Sequence, residues 1–155
     1  VSVLNRYLSV AAKAILAEQG TIDKFMGDGI MAWFNAPIPQ TDHAQRAIRA
    51  ALRIRQAEES LKEQIPADMQ QSFGVGIHFG MVVLGLVGTD DRLEYTAIGD
   101  SVNIAKRTEE NASAGQILVS AGVQQLLRGM FLVRSVLPIQ VKGRRMPVQV
   151  YEVLG

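Results

Sequence analysis

The chain of 155 residues contains no cysteine. Disulfide bridges and thiolate metal centres are therefore excluded. Two histidines, His43 and His78, are too few for a histidine-rich metal cage. Aromatic residues make up only 6% of the chain, and there is a single tryptophan, Trp33. Lysine and arginine (16) nearly balance aspartate and glutamate (15), so no broad basic surface for nucleic acid is implied. No apolar run is long enough to span a bilayer, and no signal peptide is recognisable. Membrane contact by this domain is not expected, and a cytoplasmic location is the default expectation. What remains is a chain of ordinary globular composition, 48% apolar and 20% charged, of a length that suits one domain over 1–155. It begins with Val1 rather than methionine and runs directly into a helical pattern, which suggests a fragment whose natural start lies upstream.

Strand and helix patterns mix along the chain without strict alternation. Leu4, Leu8, Ala11, Ala12, Ile15 and Leu16 predict a helix over 2–19, ended by Gly20. Apolar runs over 21–26 and 30–35 flank Gly27-Asp28-Gly29, a hairpin signal. A second helix, capped by Thr41 or Asp42, is expected to fray near Gln64, before Pro66. Strands are predicted over 72–79, 82–87, 93–98, 116–119, 131–139 and 148–153. Helices are predicted after Gly99, capped by Asp100 or Ser101, and after Ser120. The order implies an α+β fold with helices packed on one face of a sheet.

The richest segment runs from Glu94 to Arg107. A β-rich run stops at Gly99 and a helix begins. Asn103 and Arg107, four apart, project from one helix face, and Thr96 lies near the end of the strand that feeds it. An amide beside a fork-shaped cation suits phosphate or ribose oxygens. Lys24 and Asp28 are ambiguous on their own. An Asp-Gly turn commonly bonds only its own backbone, while an exposed carboxylate at a strand end also suits Mg²⁺. The basic turn from Lys142 to Arg145 reads either as a solvated loop or as a lysine held by Gly143 to meet a polyphosphate. Gly74-Val75-Gly76 reads as close strand packing, since a lone Gly-x-Gly inside a strand run is a weak nucleotide signature.

Taken together, these segments resemble the catalytic domain of the class III nucleotidyl cyclases. The resemblance rests on Leu4 to Tyr7, the hairpin from Thr21 to Phe34, Pro37-Ile38-Pro39 with Asp42-His43-Ala44, Gly76-Ile77-His78, the Glu94 to Arg107 segment, and Val141-Lys142-Gly143 with Val150 to Val153. It implies a ferredoxin-like antiparallel sheet with helices packed on it. It also implies a reaction in which the ribose 3′-oxygen of ATP attacks its own α-phosphorus, giving 3′,5′-cyclic AMP and pyrophosphate. Asp28 matches a metal-binding aspartate for one of two Mg²⁺ or Mn²⁺ ions. Arg107 matches the residue that stabilises the α-phosphoryl transition state, Asn103 the ribose-holding residue, and Lys142 the lysine on the terminal phosphates. Lys24 and Thr96 match the base-reading pair, in the form found in adenylate cyclases stimulated by bicarbonate.

The resemblance further implies a head-to-tail homodimer with the site shared between chains, and an upstream sensor or regulatory domain in the parent protein. The family's first strand, carrying its other metal aspartate, lies ahead of the opening helix and is absent here. The isolated piece is therefore expected to be inactive. Two other classes stay open: a degenerate cyclase-like module that binds nucleotide or a partner without turnover, and a purely structural dimerisation module.

Overall fold

A computed structural model describes residues 2–155. Helix α1 spans Val3–Ala17 and is followed by a hairpin of β1 (Thr21–Met26) and β2 (Gly29–Trp33). Helix α2 covers His43–Leu61 and tightens into a 3-10 turn over Lys62–Gln64, close to where Pro66 was expected to stop it. Then come β3 (Val75–Ile77), the hairpin β4 (Val83–Thr89) and β5 (Arg92–Ile98), and α3 (Asp100–Glu110). Strand β6 (Ile117–Ser120), α4 (Ala121–Leu126), β7 (Val133–Ser135) and β8 (Val150–Val153) complete the chain. The α+β class is as predicted. Most strand pairs are antiparallel, but the central sheet, ordered β3-β6-β8-β7, includes one parallel pair, β3 with β6.

Helices cover both faces of that sheet, not one. All four residues of β6 are buried. Ile117 and Val119 pack with Ala44, Ile48 and Ala51 of α2 and Val123 of α4. Leu118, pointing the other way, packs with Ile104 of α3 and with Val141 and Val150. A strand buried on both faces reads as a continuous apolar run, and Ile-Leu-Val has no alternation from which to tell one covered face from two. Gly74 and Gly76 make the second layer possible. A Cβ on Gly76 would collide with the α3 backbone at Glu109, and one on Gly74 with the carbonyl of Ala112. Close packing against a strand was expected of this pair, but what lies against it is helix α3 and its C-terminal end.

Helix α2 also faces the first hairpin. Ile54 joins Ala11, Ala14 and Ile15 of α1 in a cluster that includes Ile22, Ile30 and Ala32. The buried carboxylate of Glu18, just past α1, accepts hydrogen bonds from Arg49 Nε (2.8 Å) and Arg53 Nε (2.9 Å) of α2. Burial alone would raise its pKa, but the two guanidinium groups outweigh that and hold it below the usual glutamate range.

Predicted caps found other partners. Asp42 is the residue before α2 but makes no side-chain cap bond. Its carboxylate accepts instead from Arg46 Nε at 2.7 Å and Arg49 at 3.5 Å. Ser120 precedes α4 without capping it and pairs with Nδ1 of His78 at 2.8 Å. Gly99, at φ 134°, takes the cap position of α3 that was expected of Asp100 or Ser101. That φ lies in a region only glycine adopts cheaply. Asp100 opens the helix and pairs with Arg144 at 3.0 Å. The long strand predicted over 131–139 contracts to β7 plus a single bridge between Ile139 and Val148.

Glu58 is the unexpected core residue. It is 2% exposed, and its Oε2 accepts the backbone N–H of Phe73 at 2.7 Å. Burial raises its pKa to about 7. A carboxyl raised in the folded state favours folding while it keeps its proton. Stability therefore falls as pH rises from the unfolded value of 4.5 toward 7, and stays lower above it. Glu58→Gln keeps an acceptor for Phe73 without the charge. It should raise stability at pH 8 by about 2 kcal/mol and change it little at pH 4, read from urea unfolding at both pH values.

Candidate active site

The six residues singled out in the sequence fall into three groups. The first lies where β1 passes β5. Lys24 Nζ sits 3.7 Å from Glu94 Oε2, and Thr96 Oγ1 donates to Asp23 Oδ2 at 2.6 Å. Two neighbours on one strand thus meet two residues of the other, which brings Lys24 and Thr96 to the same crossing of β1 and β5. Thr96 is 7% exposed, whereas the Glu94 carboxylate stands mostly in water. The Lys24–Glu94 pair is therefore weak, worth about 0–1 kcal/mol, and holds Lys24 only lightly.

Asp23 was not singled out in the sequence. The pairing of β1 with β2 shifts register between Ile22 and Lys24, leaving Asp23 as the extra residue of a β-bulge. The bulge is the reason that adjacent residues, Asp23 and Lys24, both turn toward β5. Simple alternation would have put them on opposite faces. A charged residue in the apolar stretch beside Lys24 was the one available signal.

The second group joins α3 to the loop between β7 and β8. Arg107 Nε donates to the Gln140 carbonyl at 3.2 Å, two residues before Lys142. Asn103, Arg107 and Lys142 are all exposed. Gly143 has φ 86°, a left-handed conformation that favours glycine. Arg144 in the same turn reaches back to Asp100. Helix α3 and this basic turn therefore form one edge with unburied donors, on which Arg107 also lies 3.8 Å from Glu110.

Asp28 forms the third group alone, exposed at the tip of the β1–β2 hairpin. Glu109 on α3 feels it. Partial burial, together with the carboxylates of Glu110 and Asp28, pushes the Glu109 carboxyl up. Among the described residues, no group of three or more histidine, cysteine, aspartate or glutamate side chains could hold a metal ion. Asp28 fits as one hard oxygen ligand for Mg²⁺ or Mn²⁺, and a closed site needs donors beyond those grouped here. A separate cavity of about 310 Å³, lined by His78, Asp100, Ser101, Ser120 and Arg144 among others, contains none of the six. Burial, and then the Arg144 charge, keep the His78 imidazole below its ordinary pKa.

Residues 1–155 match the model of the adenylate and guanylate cyclase catalytic domain, and the chain belongs to that family. It is 36% identical to adenylate cyclase 1 of Rhizobium meliloti (strain 1021) over 159 residues, covering 100% of this chain and 24% of that protein. The chain spans less than a third of the length of the curated adenylate cyclases it matches. Among solved structures, the adenylyl cyclase CyaB from P. aeruginosa superposes with a TM-score of 0.89 at 35% identity, covering 98% of this chain and 80% of that one. The guanylyl cyclase Cya2 superposes at 0.87 with 34% identity, covering 98% and 78%.

Thr96→Val keeps the side-chain shape but leaves Asp23 without its donor. It should cost about 1–2 kcal/mol of stability in urea unfolding.

Proposed function

We propose that this domain converts ATP to 3′,5′-cyclic AMP and pyrophosphate, at a site shared across a head-to-tail homodimer. The observation that supports the choice of ATP is that Lys24 and Thr96 both lie at the crossing of β1 and β5, each against a neighbour of the other. Adenine N1 accepts a hydrogen bond and its 6-amino group donates one. The Lys24 ammonium is a donor, and the Thr96 hydroxyl has lone pairs to accept. Guanine carries a hydrogen on N1, so a lysine there would meet a donor with a donor. The near-equal similarity to adenylyl and guanylyl cyclases leaves this choice to the base-reading residues.

The other residues supply position and charge. Asn103 holds the ribose so that its 3′-oxygen lies in line with the α-phosphorus. Keeping nucleophile and electrophile within one bound molecule removes much of the entropic barrier. Arg107 faces the α-phosphoryl oxygens, where its fork-shaped guanidinium stabilises charge that grows in the transition state. Lys142 grips the terminal phosphates that leave as pyrophosphate. Asp28 would be one ligand of a divalent pair, whose bound ions lower charge on the attacking and leaving oxygens. One carboxylate does not complete such a pair, so the 155-residue chain by itself should bind nucleotide with little turnover.

Support for the dimer comes from the β4–β5 hairpin. Leu86, Leu93 and Tyr95 share one face of the hairpin by register and are each more than half exposed. A clustered apolar surface of that kind marks an interface. All five base, ribose and phosphate matches are present, which favours turnover in the full-length protein over a degenerate binding module.

Two measurements test this reading in the full-length protein. Lys24→Glu should lower kcat/KM for ATP by about 10²-fold or more and raise the share of cyclic GMP formed from GTP. Retained ATP preference would remove Lys24 from base reading. Asp28→Ala and Arg107→Ala should each abolish activity, and mixing the two inactive chains should restore about a quarter of the wild-type rate. That fraction follows from random pairing of equal amounts, in which half of the dimers carry one intact site of two. A mixture as inactive as its parents would exclude a site shared between chains.

A further inference from the structure

We propose that Asp23 is a specificity-determining residue that acts through Thr96, fixing its hydroxyl as an acceptor toward the base. This rests on the ATP reading above.

A threonine hydroxyl has one hydrogen and two lone pairs, and it rotates to suit its partners. Unconstrained, it would accept from the adenine 6-amino group or donate to the guanine 6-oxygen equally well. Thr96 by itself therefore does not discriminate between the two bases at that edge.

The β1 bulge removes this freedom. It turns the Asp23 carboxylate to Thr96 Oγ1 at 2.6 Å. That is the short range of a hydroxyl bonded to a carboxylate. A carboxylate accepts only, so the Thr96 hydrogen is committed to Asp23. Only lone pairs then face the base. Burial strengthens the commitment, because Thr96 is 7% exposed and little water competes for its hydrogen. A guanine 6-oxygen would meet lone pairs with lone pairs. Glu94, the other carboxylate of the group, points at Lys24 and does not supply this constraint. The bulge also explains how one strand supplies both parts, with Lys24 as the donor to the ring and Asp23 behind the acceptor.

The test is the ratio of kcat/KM for ATP to that for GTP, measured in the full-length protein with Mn²⁺ as the ion. Asp23→Ala frees the hydroxyl and should lower the ratio about tenfold, mainly by improving use of GTP relative to ATP. Asp23→Asn fills the same volume but presents either an acceptor or a donor, and should give an intermediate ratio. In a Thr96→Val background, Asp23→Ala should leave the ratio unchanged.

Equal losses with both nucleotides in Asp23→Ala would show a packing role only and overturn the proposal. So would a shift in the ratio that persists without the Thr96 hydroxyl. If Asp23→Ala does not fold, an unchanged ratio in Asp23→Asn overturns it alone. A wild-type protein that prefers GTP would instead overturn the ATP reading, and this inference with it. A wild-type preference for ATP combined with unchanged variants would sink only the role of Asp23.

Discussion

The packing of α2 is the constraint on which the rest of the structure depends. The first hairpin and the four-stranded sheet are separate hydrogen-bonded units. What they share is one helix. Its Ala44, Ile48 and Ala51 lie on the sheet, and a turn later Ile54 lies in the cluster of α1 and the hairpin. The Glu18 carboxylate, held by Arg49 and Arg53, ties α1 to the same helix. The distance from hairpin to sheet is thus set by apolar side chains on one rod. Lys24 and Asp28 sit on the first unit, while Arg107 and Lys142 sit on elements packed against the second. Their spacing is a product of core packing.

The candidate site follows from that frame. Each group is built by a different device. A bulge aims two adjacent residues of β1 at β5. A backbone carbonyl at Gln140 anchors Arg107 beside the basic turn. A two-residue turn exposes Asp28. None of these devices buries the charged groups that would meet a triphosphate. Arg107, Lys142 and Asp28 are left in solvent, where a charge costs little, and of the six only Thr96 is desolvated. Such a surface offers charged groups to a polyanion but has no walls of its own, as the proposed site shared with a second chain requires.

Much of this was legible in the sequence. The bounds of β1 were read as they stand, because Thr21 to Met26 is a short apolar run next to a glycine turn. The Gly99 junction placed Asn103 and Arg107 correctly on α3. What failed was mostly the destination of short polar side chains. Asp42, Ser120 and Asp100 sit at helix starts, where local rules make them caps. In the fold they bond Arg46, His78 and Arg144 instead. Those partners are distant in sequence or carry a full charge, and a charge-assisted bond outweighs a cap. Glu58 is a related case. Its spacing from Ala47, Ala51 and Ile54 puts it on the buried face of α2, but nothing local says that the Phe73 N–H will meet its carboxylate. The bulge at Asp23 is one extra residue in a strand, which shifts the side-chain period and leaves no mark in composition.

The contact between Gly76 and α3 has a mechanical side. With no side chain between them, strand β3 and the helix backbone at Glu109 touch directly. Side chains elsewhere in the core absorb small displacements by changing rotamer, but a backbone-to-backbone contact has no such slack. Helix α3 and β3 therefore move as one body, and Arg107 rides on that body two residues from the contact. Strand β3 is also the outer strand of its sheet, with β6 on one side only among the described residues. A peptide or strand that came to lie along its free edge would act on the guanidinium as through a rigid lever.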